Sequence, residues 1–175
     1  MPTNKPRKRP APKRLTHVDP QSGEARMVDV GAKPVSTREA EARGRILISA
    51  EAMRLVRAGG LKKGDPLQVA RLAGIMAAKQ TSALIPLCHP LPLSSIDVDL
   101  RLRRDGIEIR ARARTTAQTG VEMEALTAVA VTGLTIYDMV KAVDKTMTLT
   151  EIELVSKRGG TSGDYVRPAR RTPRR

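Results

Sequence analysis

The chain has 175 residues and a formal charge of +14, from 32 Lys and Arg against 18 Asp and Glu, a length suited to one domain. Eleven of the surplus charges lie in two acid-free ends, residues 1–14 and 165–175, so the interior between them is nearly balanced. With no Phe, no Trp and only Tyr137 and Tyr165, the sequence counts against functions built on aromatic stacking, such as single-strand nucleic-acid platforms. Its one cysteine, Cys88, excludes an intrachain disulfide and suits a reducing, cytoplasmic compartment. Two histidines and one cysteine are too few soft ligands for a zinc site of usual spacing. No metal or organic cofactor is assigned, although a cation held by oxygen ligands or by a substrate's phosphates stays open. No apolar run approaches the roughly 20 residues of a membrane span, and the basic N-terminus lacks the apolar stretch of a secretory signal.

Residues 1–14 combine Pro, Lys and Arg with almost no apolar side chains, and such a segment cannot bury enough surface to order itself. Residues 166–175 read the same way, which leaves one domain over residues 15–165. Arg26–Val35 and Thr37–Ser49 read as extended. Ser49 is placed to cap a helix to Ala58, with Ala52, Met53, Leu55 and Val56 on its apolar side and Gly59-Gly60 as the stop. Asp65 caps the next helix with Pro66 in its first turn. That helix is expected over Pro66–Ser82, burying Val69, Leu72, Ala73 and Met76. Pro86, Pro90 and Pro92 then break the chain. Ile96, Val98, Leu100 and Leu102 alternate with Asp97, Asp99, Arg101 and Arg103. Asp105-Gly106 signals a hairpin turn, and Ile107, Ile109, Ala111 and Ala113 return the alternation. A long helix over Val121–Val143 and a last strand over Met147–Ser156 complete a ββαβ half. The fold class is α+β: an antiparallel sheet with helices packed on one face. The other face is left open unless another copy of the chain covers it.

Four clusters are poor core material. Ile85–Leu91 stiffens Cys88 and His89 between prolines; a histidine there serves equally well to satisfy a backbone group. Thr119–Ala125 puts Glu122 and Glu124 in a helix's first turn, where acids also simply complement the helix dipole. Tyr137–Lys145 places Asp138, Lys141 and Lys145 on one face of a helix that is otherwise small and apolar. A surface ion pair is the plain alternative, but charges on a helix buried on most sides are expected to line a cleft. A lysine packed there has a lowered pKa and can move protons. Lys157–Asp164 offers glycines, hydroxyls and cations after a strand, which suits a phosphate loop or equally a basic tail. Lys33, Arg38 and Lys63 add isolated cations. No Walker loop, dinucleotide fingerprint or hydrolase elbow is present.

In this order the clusters resemble the cyclic pyranopterin monophosphate synthases of molybdenum cofactor biosynthesis, historically called an accessory protein family. The resemblance runs from Leu15-Thr-His-Val-Asp19 to Gly163-Asp164. It is most specific at Met27-Val-Asp-Val30, Lys63-Gly-Asp65, Ala70–Lys79, Leu84–Leu91, Thr119–Ala128 and Leu134–Met139 with Lys141-Ala-Val143. It implies a ferredoxin-like fold and a hexamer, a trimer of dimers, with active sites at the dimer interface. It implies a lyase that converts (8S)-3′,8-cyclo-7,8-dihydroguanosine 5′-triphosphate into cyclic pyranopterin monophosphate and diphosphate. Residue by residue, it implies that Asp138 is the catalytic acid or base, accompanied by Lys63 and Lys141. It implies that Leu87, Cys88, His89, Glu122, Met123 and Glu124 hold the purine-derived rings, and that Lys33, Arg38 and Lys157 meet the triphosphate. Four positions depart from the family's pattern. Gln118 and Thr161 stand where it usually has lysines, Arg158 where it usually has serine, and Val140, in Met139-Val-Lys141, where it usually has cysteine. Two other readings are kept beside this one: a structural oligomer without activity, and a polyanion-binding module acting through the basic ends.

Overall fold

A computed structural model describes residues 17–19, 21–59 and 64–169. The expected N-terminal tail, Lys63 and residues 170–175 lie outside them. Five strands form one antiparallel sheet: β1 (Ser36–Leu47), β2 (Leu93–Arg103), β3 (Gly106–Ala117), β4 (Thr148–Arg158) and β5 (Tyr165–Val166), in the order β2-β3-β1-β4-β5. Between β1 and β2 lie α1 (Ala50–Ala58), α2 (Pro66–Lys79) and the single turn α3 (Thr81–Leu84); α4 (Glu122–Val140) joins β3 to β4. With the helical stretch before β2 counted as one crossover, the chain runs β-α-β-β-α-β with sheet order 2-3-1-4. This is the ferredoxin-like split arrangement, with β5 added at the edge. β5 pairs Tyr165 and Val166 with Lys157 and Ser156, and Arg167 Nε donates to the Leu154 carbonyl at 2.7 Å. Val166 and Arg167, placed in the tail by the sequence reading, are therefore tied to the sheet.

The caps follow the sequence. Ser49 Oγ accepts from the Ala52 amide, Gly59 closes α1 in the left-handed conformation at φ 66°, and Asp65 Oδ1 accepts from Leu67 and Gln68. The hairpin turn sits one residue earlier than expected, at Arg104-Asp105. Gly106 is instead the first strand residue, at φ 151°, where a Cβ would strike the Ile46 carbonyl. Among the described residues Arg26–Val35 forms no strand; just before it, Val18 and Ala25 make an isolated antiparallel bridge.

The core is built from small side chains. Ala40, Ala42, Ala111 and Ala113 on the sheet meet Ala125, Ala128 and Val129 on α4, all buried. Alternation along β1 and β3 delivers this face directly. α4 packs against α2 on one side and against β1, β3 and β4 on the other. By length and composition it could cross a membrane, but more than half of it is buried inside the domain, so its apolarity serves the core.

The orientation of α2 is opposite to expectation. Ala70, Gly74, Ala77 and Ala78 are buried, while Val69, Leu72 and Met76 are 41%, 61% and 66% exposed. Small residues face α4 because the two helices approach closely: a Cβ at Gly74 would strike Thr132 Oγ1 and lie 3.0 Å from the Ala128 carbonyl. Large side chains fit only on the far side. Leu55 of α1 is likewise turned outward.

The second face of the sheet carries charge rather than apolar surface. Arg43 pairs with Glu153 at 2.6 Å, Arg45 with Asp105 at 2.9 Å, Arg112 with Glu41 at 3.0 Å, and Arg114 with Glu39. Cross-strand pairs of opposite charge stabilise a sheet modestly, and they let this face meet water without a cover.

Candidate functional site

Two adjoining cavities form where the β3–α4 connection passes between the Ile85–Leu91 segment and the end of β4. The first, about 150 Å³, is cationic, with Lys33, Arg38, Lys157 and Arg158 around it and the Gly159–Ser162 stretch at its rim. Arg38 is its best-built member. It lies on the helix side of β1 and is only 8% exposed. Its Nε and Nη2 donate to the carbonyls of Ala117 and Gln118, each at 2.9 Å. No carboxylate pairs with it among the described residues. Gly160, at φ 83°, lets the glycine stretch lie against the guanidinium, where a Cβ would strike Nη1. The N-terminus of α4 also borders this cavity, and Val121 at its cap supplies no side-chain hydrogen bond. A buried guanidinium without a carboxylate, beside an uncapped helix start, favours an anion.

The second cavity, about 240 Å³, is lined by Leu87, Cys88, His89, Met123 and Glu124, with His17 at its edge. His89 Nε2 lies 2.9 Å from the Val28 carbonyl. That partner can only accept, so Nε2 carries the proton and, in the neutral ring, Nδ1 is the acceptor. The plain role considered for His89, satisfying a backbone group, is thus real, and it fixes the ring at the cavity wall. Glu124 is 4% exposed. Burial first, and then the charge of Glu122, pushes its carboxyl up to about 7. Burial, with the negative field of Glu124, pushes the Cys88 thiol up as well, which disfavours its thiolate form.

Thr119, Gly120 and Glu122 line both cavities. Glu122 Oε1 pairs with Lys157 Nζ at 3.0 Å, and its side chain folds back so closely over Gly120 that a Cβ there would strike Oε2. The site residues expected from sequence therefore converge in two groups. Leu87, Cys88, His89, Met123 and Glu124 meet in one cavity, Lys33, Arg38 and Lys157 in the other, and Glu122 stands between them.

Asp138 and Lys141 lie elsewhere. They pair at 2.6 Å with side chains 58% and 50% exposed. Asp138 follows Glu122 by sixteen positions on α4, about 24 Å along the axis at 1.5 Å per residue. The expected cleft does not form around them within one protomer. Nor is the Lys141 amine lowered: the hydrogen bond and charge of Asp138 raise it. Lys145, expected on the same face, lies beyond the helix, where its carbonyl accepts from the Tyr137 hydroxyl at 3.2 Å. Lys63 lies outside the described residues.

Sequence reasoning gave no role to His17, although it stands inside one of the quoted motifs, and treated Arg158 only as a nearby cation. Both line the site. Thr161 lines the cationic cavity too. Gln118 contributes by tethering: its Nε2 donates to the carbonyls of Gly31 at 2.9 Å and Lys33 at 3.1 Å, which holds the Lys33 loop against the cavity. Among the described residues no three His, Cys, Asp or Glu side chains cluster as metal ligands.

A cationic recess adjoins, through one shared carboxylate, a second and less charged cavity on a ferredoxin-like sheet, an arrangement that defines a small-molecule-binding α+β domain. Residues 27–160 match the MoaC family, and the chain belongs to that family. Curated relatives agree along nearly the whole chain. The cyclic pyranopterin monophosphate synthase of Nocardioides sp. is 58% identical over 161 residues, covering 90% of this chain and 98% of that protein. The proteins of the same name from Thermomicrobium roseum and Chloroflexus aurantiacus are 57% and 58% identical, covering 87% and 88% of this chain and 93% and 95% of their own lengths.

Proposed function

We propose that this protein is a cyclic pyranopterin monophosphate synthase, a lyase of molybdenum cofactor biosynthesis that takes the 3′,8-cyclised dihydroguanosine triphosphate to cyclic pyranopterin monophosphate and diphosphate. The observation that carries the reading is the pair of adjoining cavities, one lined by Lys33, Arg38 and Lys157, the other by Cys88, His89 and Glu124. The cationic cavity suits the triphosphate and the departing diphosphate, whose charge its fixed cations offset. The second suits the ring system, whose guanidine-like edge needs carboxylate acceptors.

Opening the imidazole ring, rearranging the skeleton and closing a cyclic phosphate need groups that give and take protons near neutral pH. Asp138, Lys141 and Lys63 are assigned that role. Asp138 keeps the Lys141 amine protonated, so the pair offers an ammonium as acid and a carboxylate as base. Since α4 separates Asp138 from Glu122 by about 24 Å, a second copy of the chain brings this pair to the cavities. A homohexamer built as a trimer of dimers, with its sites at the dimer interface, meets that need. The outward Val69, Leu72 and Met76 of α2 and Leu134 of α4 supply apolar surface for such contacts. The assembly works in the cytoplasm and needs no membrane or nucleic acid. Incubation with the cyclised triphosphate followed by mass analysis tests the reading: cyclic pyranopterin monophosphate and diphosphate in equal amounts are expected, and unchanged substrate refutes it.

A further inference from the structure

Glu122 belongs to both cavities, and its single carboxylate cannot serve both at once. Oε1 pairs with Lys157 at 3.0 Å, and both side chains keep about a quarter of their surface, 27% and 28% respectively. The pair is neither locked in a dry interior nor fully screened by water, so a stronger anion can break it. A triphosphate is that anion, because it brings several charged oxygens to the recess that already holds Lys33, Arg38 and Arg158. Gly120 has no side chain to block the carboxylate's movement toward either cavity, since Glu122 lies directly over it. Burial raises the neighbouring Glu124 carboxyl to about 7, so near neutral pH it is only partly ionised, and Glu122 is the carboxylate paired with a cation at the edge the two cavities share.

Resting on the function proposed above, we infer that Glu122 makes the ring cavity's grip depend on the polyphosphate: a triphosphate that takes Lys157 releases the Glu122 carboxylate to accept from the N–H groups of the base. Triphosphate and base then bind with positive coupling, and Glu122 is the residue that selects the triphosphate over the nucleoside or its monophosphate. Linkage makes the coupling reciprocal, so each ligand raises the other's affinity by the same factor.

The test uses the intact protein, inorganic tripolyphosphate, and the nucleoside obtained by dephosphorylating the cyclised substrate, with affinities measured by titration calorimetry. Saturating tripolyphosphate is expected to tighten nucleoside binding about tenfold in the wild type, within the usual range of coupling between sites. In Glu122→Gln the factor falls to about one, and tripolyphosphate itself binds more tightly because its competitor for Lys157 is gone. Lys157→Gln supplies the opposite readout: the carboxylate is released permanently, so the nucleoside binds without tripolyphosphate as tightly as it does to the wild type with it. A merely structural role for the pair predicts no such gain. Coupling that persists in Glu122→Gln, wild-type affinities that are independent of each other, or a nucleoside that fails to bind even with tripolyphosphate overturns the inference. If the wild type still turns over the triphosphate in that case, the proposed function stands and only the coupling is lost; if it neither turns over the substrate nor binds tripolyphosphate, both fall.

Discussion

Asp138 and Lys141 form a 2.6 Å ion pair at the C-terminal end of the same helix whose N-terminal end carries Glu122 and Glu124. The two ends of α4 thus present different chemistry in different places, and one chain cannot bring them together. If Asp138 handles protons in the reaction, Asp138→Asn keeps the shape and removes the base. Product formation should drop by about 100-fold or more, the usual worth of a positioned proton carrier, with the assembly unchanged by size-exclusion chromatography. Near-wild-type turnover of this variant would remove Asp138 from the mechanism.

Composite sites make a second prediction. His89→Ala and Asp138→Asn are each expected to be inactive, yet mixing and reassembling them should restore activity. In a two-fold dimer whose sites each draw on both chains, random exchange makes half the dimers hybrid, and each hybrid carries one intact site. Recovery of about a quarter of wild-type activity follows. No recovery after verified subunit exchange would show that both residues act in the same half of the site.

The sequence read well where a local rule decides the outcome. Ser49 and Asp65 cap helices because a side-chain oxygen at that position accepts from the next turn. The period-2 pattern of β2 and β3 yields the buried face because successive side chains must alternate. The cavity residues were legible through the family resemblance, not through spacing: Arg38 looked like an isolated cation until β1 placed it under the glycine stretch. The inversion of α2 was not legible. Periodicity marks an apolar stripe, but Val69, Leu72 and Met76 compete with the stripe of Ala70, Gly74 and Ala77, and close approach to α4 settles which one faces in. Nor could the sequence show that Asp138 and Lys141 stay half-exposed, because that depends on whether another chain covers them.

The outward stripe of α2 predicts the assembly. Leu72 is 61% exposed, so Leu72→Glu should leave the domain's circular dichroism and melting intact while weakening self-association. A fall in mass by light scattering, with loss of turnover, is the expected result. An unchanged mass and full activity would place the contact surface elsewhere.

Glu124 predicts a pH dependence. Its folded carboxyl titrates at about 7, above the ordinary carboxylate range near 4.3. Between those values the folded chain holds more protons than the unfolded one, so this group makes stability fall as pH rises. The loss begins above the unfolded value and is complete once pH passes the folded one. Glu124→Gln removes the ionisation and keeps the shape. Its melting temperature should match the wild type near pH 4 and exceed it by a growing margin up to pH 8. Cys88, Glu122, His89 and His17 face the same cavity, so the comparison is made as a difference between the two proteins at each pH. A constant difference across the range would mean that Glu124 is not buried as a neutral acid.

Gly74 and Thr132 make the last prediction, because they mark where α2 and α4 touch. Alanine at position 74 gains about 1 kcal/mol of helix propensity, yet its Cβ would strike Thr132 Oγ1. Overpacking of this kind costs roughly 1–3 kcal/mol, so Gly74→Ala should be net destabilising in urea. Among the described residues Thr132 Oγ1 is buried without a hydrogen-bond partner, and removing an unsatisfied buried hydroxyl is close to neutral or favourable. Thr132→Ala alone should therefore cost little, and the double variant should recover part of what Gly74→Ala loses: the clash with Oγ1 and the buried hydroxyl disappear together, while the 3.0 Å approach to the Ala128 carbonyl remains. The interaction between the two sites should then exceed about 0.5 kcal/mol, the level expected for residues in contact. Additive effects would mean that the helices are spaced by other residues, and that the inward turn of the small stripe has another cause.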